Sequence, residues 1–359
     1  MVIHMNAEQL ACLNVGEDLD QLMNLDPRGY GVCRILYEGA RKMTGEPLTM
    51  KCAKELKERL KENDVVYIIT GFVLLSNKRA EMDGIISAML LARALVKAYG
   101  VKPLIICPEE NLVAVRNLSN NIGLHLYETI EELLEYPISI GVHSFTKDVN
   151  EAEEQADELM KQAFPKAVIA IEAPGANGKG VYHNALGKDL TCLEAKTDAL
   201  FVKCKEAGVW NMAIGDLGNE LGMGALENHL KKHIPYMDQN GCTCGCGGGS
   251  MAAVAADNII TATVSDWGGY GLIAATAYLN QDMDIMHTGE MEEEVIKTAS
   301  NSGMVDMYGW LEYAIDGIPM DFHVHLVELM RKCVENTLKQ KEKCSLWFEK
   351  VLEQNYLDA

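Results

Sequence analysis

Carboxylates stand beside glycines at several separate places in this chain, each close after a short apolar run. The segment IGDLGNELGMG (214–224) carries Asp216, Asn219 and Glu220 among four glycines. IEAPGANGKGVYHNALGKD (171–189) ends an apolar run in Glu172, turns at a proline and opens a glycine-rich loop. AEMDG (80–84) sets Glu81 and Asp83 two residues apart, and VSDWGGYGL (264–272) places Ser265, Asp266 and Trp267 before a small-residue-rich run. Carboxylates gathered at one place repel unless something neutralises them. A hard divalent cation does so through oxygen ligands, and carboxylates with amide oxygens suit Mg²⁺ or Mn²⁺. The candidate ligands are therefore Glu81, Asp83, Glu172, Asp216 and Glu220, with Asp189, Asp198 and Asp257 in reserve. Each motif also has a plainer reading: Asp83 as a helix N-cap, the 171–189 segment as a surface loop, and 214–224 as a glycine turn.

The same loops hold groups able to bind or move what the cation polarises. Lys179 and Asn184 are candidates to hold an anionic group of the substrate, and His183 to carry a proton near neutral pH. Gly71, in the TGF step, Asn219, Ser265 and Trp267 are expected at the substrate, Trp267 as an aromatic wall. GANGKG lacks the spacing of a phosphate-binding Walker loop, and 214–224 lacks the dinucleotide-binding register. There is no GxSxG and no persuasive Cys–His arrangement, which disfavours serine or cysteine hydrolysis. GCTCGCGGGS (241–250) alternates Cys242, Cys244 and Cys246, a spacing that fits the usual four-ligand zinc or iron–sulfur patterns poorly. It reads first as a mobile loop near the site, with metal binding and redox chemistry as alternatives. His323 and His325 read as helix surface.

The elements that must position these residues follow from periodicity. Short apolar, β-branched runs predict strands at 65–70, 102–107, 166–172, 210–216 and 259–265, with further apolar strands around LHLYE and PISIGVHS. Between them, 84–99, 150–163 and 193–208 have helical spacing. Strand–helix–strand alternation predicts an α/β fold: a three-layer, mostly parallel Rossmann-like sheet with helices on both faces. The expected organisation is an N-terminal helical segment (1–48), a metal-binding α/β core (49–320) that could divide near 150, and a C-terminal helix (321–359). Open parallel sheets bind ligands beyond the carboxyl ends of their strands, so the strand-end acids should converge on one rim.

A formal charge of −20 opposes nucleic acid and anionic membranes as partners. No run of eighteen apolar residues and no export signal appears, and eleven cysteines then read as reduced thiols in a cytoplasm. The expected partner is a small anionic molecule; an oligomer is open.

Taken in order, TGF (70–72), AEMDG with the LARAL helix after it, IEAPG…YHNALGKD, IGDLGNELGMG, VSDWGGYGL and the late VD…DG pair resemble the D-glutamate cyclase family over residues 26–325. The resemblance implies a metal-assisted lyase that converts D-glutamate to 5-oxo-D-proline and water on a Rossmann-like three-layer core. Two positions depart from the family pattern: Ala173 stands where a basic residue is usual, and Asp266 where asparagine is usual. The same acids would serve a divalent-metal-dependent phosphatase, and the cysteine loop a non-enzymatic metal-binding protein; both stay open at this point.

Overall fold

The computed structural model describes residues 6–238 and 241–352, with side chains described to residue 340; the ends of the expected 1–48 and 321–359 segments lie outside the described residues. Three helices open the chain, α1 (Ala7–Met23), α2 (Val32–Thr44) and α3 (Leu48–Arg59). The alternating core follows: β1 (Val65–Thr70), α4 (Ile85–Tyr99), β2 (Lys102–Cys107), α5 (Leu112–Asn121), β3 (His125–Tyr127), α6 (Ile130–Glu135), β4 (Ser139–Ser144), α7 (Ala152–Gln162), β5 (Ala167–Ile171), α8 (Thr197–Glu206), β6 (Trp210–Gly215), α9 (Glu227–His233) and β7 (Asn258–Thr261). The chain closes through α10 (Ser265–Asn280), α11 (Gly289–Asn301), the hairpin β8 (Ala314–Ile315) and β9 (Ile318–Pro319), and α12 (Met320–Leu352).

The main sheet has seven strands in the order β3-β4-β2-β1-β5-β6-β7, every pair parallel. Strands from both sides of residue 150 share it. VVYIIT, AVIAI and the NIIT of β7 are buried along their whole length, which is why they read as unbroken apolar runs: a parallel sheet is covered on both faces. On one side α4 packs on β1, β2 and β5, and α10 on β5, β6 and β7; α8 packs on β6 with α7 beside it. The expected three-layer α/β architecture is the one found.

Two local features matter for the site. Strand β7 ends at Thr261, four residues before the end expected from sequence, and Ser265 already opens α10. Helices α4 and α10 cross closely because glycine faces the contact: a Cβ at Gly269 would stand 2.4 Å from that of Ser87. Chain order reverses between β1 and β5, neighbours in the sheet. From β1 the chain moves outward to β2, and from β5 it moves the other way to β6. That is the topological switch point, where open α/β sheets hold their ligands.

Candidate metal centre

Three acids leave adjacent strands at the switch point. Glu172 follows β5 directly and Asp216 follows β6; Asp83 lies at the end of the loop from β1, just before α4. The backbone pins the strand ends level with one another. Gly71 donates its amide to the Glu172 carbonyl at 3.1 Å, and Glu172 donates its own to Ile214 at 3.2 Å. Glu172 adopts φ 41°, the left-handed region that a non-glycine residue enters only when its surroundings enforce it. One carboxylate oxygen from each of Asp83, Glu172 and Asp216 lies within 4.8 Å of the others, a spacing able to surround a cation.

Helix ends position Asp83. Its Oδ1 accepts the Asp266 amide at 2.9 Å and its Oδ2 the Ser265 amide at 3.2 Å, so Asp83 caps α10. Asp266 returns the arrangement, accepting the amides of Gly84 (3.1 Å) and Ser87 (2.7 Å) at the start of α4. Asp83 is thus an N-cap, as its plainer reading held, but for the other helix; the residue at the head of α4 is Gly84 (φ 84°). A Cβ at Gly84 would meet that of Glu172 at 2.5 Å, so only glycine lets these two loops touch. The positive ends of two helix dipoles point at the acids. Ser265 adds a hydroxyl hydrogen bond to Glu172 Oε2 at 2.6 Å.

Burial is the largest influence on protonation here. It raises Glu172 well above the usual carboxylate range, and Glu220 and Asp83 push further in the same direction. Asp216 is raised by burial and then by Glu172 and Asp316, and Asp83 by burial and then by Asp266 and Asp316. The set takes up protons unless positive charge replaces them.

Nearby, the structure adds residues absent from the sequence-based ligand set. Asp316 occupies the turn of the β8–β9 hairpin, where Asp316 (φ 53°) and Gly317 (φ 74°) are both left-handed, as a two-residue Asp-Gly turn requires. The half-buried Arg28 binds the Asp316 carboxylate and donates to the carbonyls of Asp316 at 3.2 Å and Thr263 at 2.5 Å. Burial opposes the charge of Arg28, but Asp316, Asp216 and Asp83 outweigh it and raise its pKa. Asp306 joins Asp316 and Asp83 among the acids acting on Glu81, whose pKa burial raises first. The VD…DG spacing signals a turn, and nothing local in the sequence announces that this turn folds back over the strand ends. Asn111 is also notable: its side-chain amide is fully buried against Gly71 with neither N nor O hydrogen-bonded.

The remaining candidates separate. Glu220 is beside the acids, but its oxygens accept the amides of Asp216 (3.1 Å), Leu217 (2.7 Å) and Gly218 (2.6 Å), stapling its own turn. Asn219 donates to the His183 carbonyl at 2.9 Å and ties this turn to the 171–189 loop. Asp198 accepts the Ala176 amide and the Tyr182 hydroxyl, and Asp189 accepts the Thr191 amide; both line a cavity of about 950 Å³ with Lys147 and Lys196. Asp257 pairs with Lys205 at 2.7 Å just before β7 begins, at the amino end of the sheet, so the sheet's length separates it from the acids. Asn184 caps a turn through the amides of Leu186 and Lys188. Lys179 lies alongside Gly248 of the cysteine loop. His183 aims Nε2 at Cys244 and Cys246 instead of the acids.

Trp267 forms no wall of an open site. It is fully buried, stacks on Phe322 with centroids 5.4 Å apart and donates to His323 Nδ1 at 2.9 Å. His323, expected on a helix surface, is accordingly buried, because α12 lays that face on α10; His325 is exposed. Among the described residues no helix is long and apolar enough to cross a membrane.

Comparison with known proteins agrees with the sequence motifs. The family described as D-glutamate cyclase-like, C-terminal, matches residues 19–331. D-glutamate cyclase, mitochondrial, from Homo sapiens is 36% identical over 109 residues, a match covering 30% of this chain and 16% of the human protein.

Proposed function

This chain belongs to the D-glutamate cyclase-like C-terminal family, and from that premise we propose that it is a divalent-cation-dependent lyase closing D-glutamate to 5-oxo-D-proline and water. The observation that carries the reading is the convergence of Asp83, Glu172 and Asp216 at the switch point. The donor set fits Mg²⁺ or Mn²⁺: all oxygen and clustered, with Asp83 and Glu172 buried and Asp216 half-buried.

Closing the ring forms a bond between the α-nitrogen and the γ-carboxylate carbon and breaks one carbon–oxygen bond. The ammonium gives up two protons, and the departing oxygen leaves with two as water. Asp83, Glu172 and Asp216 would hold the cation, which when bound would supply the withdrawal of charge that a carboxylate carbon needs before it accepts a nucleophile. The chain's own acids carry the protons. Asp316, buried and oriented by Arg28, is the carboxyl we assign to relay a proton from nitrogen to oxygen. His183 is not given that role, because its Nε2 faces thiols. Ser265 and the α10 amides keep Glu172 and Asp83 fixed, so little reorganisation accompanies reaction.

The test is formation of 5-oxo-D-proline from D-glutamate, followed by chiral chromatography with Mg²⁺ or Mn²⁺, then with excess chelator. Turnover that chelator abolishes, and that Asp216→Asn lacks, is the expected result. Chelator-resistant cyclisation removes the cation from the scheme. Turnover of phosphoesters alone replaces the lyase with a hydrolase, and cation uptake without either reaction leaves a binding protein.

A further inference from the structure

The cysteine loop and the 171–189 loop meet in a second cluster of quite different chemistry. His183 and Cys242, Cys244 and Cys246 each offer one atom, and all four atoms lie within 4.8 Å of one another. His183 Nε2 is 3.2 Å from Cys244 Sγ and 3.9 Å from Cys246 Sγ, and Cys242 Sγ is 3.4 Å from Cys246 Sγ. Four ligands around zinc, with sulfur at about 2.3 Å and nitrogen at about 2.0 Å, stand on tetrahedron edges of roughly 3.5–3.8 Å. The observed separations straddle those edges. We propose that His183, Cys242, Cys244 and Cys246 form a closed, structural zinc site.

Ligand softness favours this assignment. Three sulfurs and an imidazole suit Zn²⁺ and are poor partners for Mg²⁺ or Mn²⁺. Four protein ligands complete a tetrahedron and leave no open position, the mark of a structural site. The sulfurs already receive donors of the kind that orient metal thiolates. Cys246 Sγ accepts from Gly248 N at 3.3 Å and Asn177 Nδ2 at 3.4 Å, and Cys244 Sγ accepts from Cys246 N at 3.5 Å. The site also explains how the loop is ordered. Residues 241–250 include five glycines and form neither helix nor strand, so fixing them costs much backbone entropy with few apolar side chains to offset it. Beyond those to the cysteine sulfurs, the described hydrogen bonds across the gap are three: Thr243 N to Gly187 O at 2.9 Å, Thr243 Oγ1 to the same carbonyl at 3.1 Å, and Asn177 Nδ2 to Gly249 O at 2.7 Å. A metal bond to His183 supplies the missing constraint.

The placement has a structural purpose. His183 sits eleven residues after Glu172, and its carbonyl accepts Asn219 of the Asp216 turn. A zinc tie at His183 therefore braces two of the loops that carry the acids, while remaining distinct from them in ligand type.

The experiment uses the full chain purified under reducing conditions without added chelator. Elemental analysis is expected to find about one zinc per chain. Exchange for Co²⁺ should give the visible absorption of tetrahedral cobalt and a sulfur-to-cobalt charge-transfer band, a readout independent of turnover. Cys244→Ser and Cys246→Ser should each lose the metal. Cys192→Ser, which alters an exposed thiol of the neighbouring loop, and Glu172→Gln should both keep it. Should the cysteine variants not fold, alkylation of the native protein decides: zinc protects Cys242, Cys244 and Cys246 until it is stripped. Three freely alkylated thiols in metal-replete protein overturn the proposal. So does a disulfide among the three, found by a mass 2 Da low, and so does an iron–sulfur spectrum. Because zinc is read by metal content and spectrum, loss of cyclase activity alone bears on the lyase reading and not on this one.

Discussion

Replacing Glu172 by glutamine should stabilise the cation-free protein and weaken its response to cation, and the contrast between the two is the informative part. Glutamine keeps the acceptor for Ser265 and nearly the same shape, so the change is chiefly one of charge. Asp83, Glu172 and Asp216 present oxygens within 4.8 Å of one another. At an effective dielectric of about 20, each like-charged pair at that separation costs about 3.5 kcal/mol. Ionised Glu172 takes part in two such pairs, so with all three acids ionised the relief is on the order of 7 kcal/mol. Proton uptake by the wild type reduces that figure near neutrality, since burial and then Glu220 and Asp83 raise the Glu172 pKa. A raised carboxyl contributes stability in full below its unfolded pKa and loses it as pH climbs through the folded value. The gap between variant and wild type should therefore widen with pH, by at most about 1.4 kcal/mol per unit for this one proton. Chemical denaturation in chelator from pH 6 to 9 measures it. Repeated with saturating Mn²⁺, the variant's advantage should shrink by at least about 1.4 kcal/mol, because it has lost a ligand and binds at least tenfold more weakly. Calorimetry in buffers of different ionisation enthalpy should show wild type releasing protons as it binds Mn²⁺. Parallel stability curves, or equal stabilisation of both proteins by Mn²⁺, would refute the shared-charge account.

Arg28→Met leaves the Asp316 carboxylate without its cation and should cost about 3 kcal/mol in urea denaturation; an unchanged midpoint denies Arg28 that role. Gly84→Ala forces a methyl to within 2.5 Å of the Glu172 Cβ at a left-handed backbone position, so a loss of about 3 kcal/mol and a blunted thermal shift with Mn²⁺ are expected. Glu194, buried against the Val73 amide and pushed by burial to a pKa of about 8, favours folding below its unfolded pKa and ceases to do so as pH rises through 8. The pH dependence of stability between 6 and 9 should accordingly flatten in Glu194→Gln, and identical slopes would show that Glu194 does not hold that proton.

The sheet was readable because buried parallel strands leave an unmistakable trace: VVYIIT and AVIAI have no polar face to conceal. Strand ends were nearly as plain, and with them Glu172 and Asp216, since a carboxylate after a fully apolar run needs a partner. Pairings made through space left no such trace. Asp83 reads locally as the cap of the helix that follows it, and its partners are amides 182 and 183 residues away. Arg28 meets Asp316 across 288 residues. Trp267 was misplaced because an aromatic beside polar residues at a helix start looks the same whether it turns toward the site or toward Phe322; one residue along a helix rotates a side chain by about 100°. The cysteines were weighed as three ligands because the fourth, His183, stands fifty-nine residues before the first of them.

The exchange of carboxylates between Asp83 and Asp266 makes each of two long helices begin on an acid belonging to the other. Any charge drawn onto Asp83 is drawn away from the amides of Ser265 and Asp266, so the occupant of the centre is felt at the head of α10 through those two hydrogen bonds. Deuterium uptake at those two amides should consequently report whether the centre is filled.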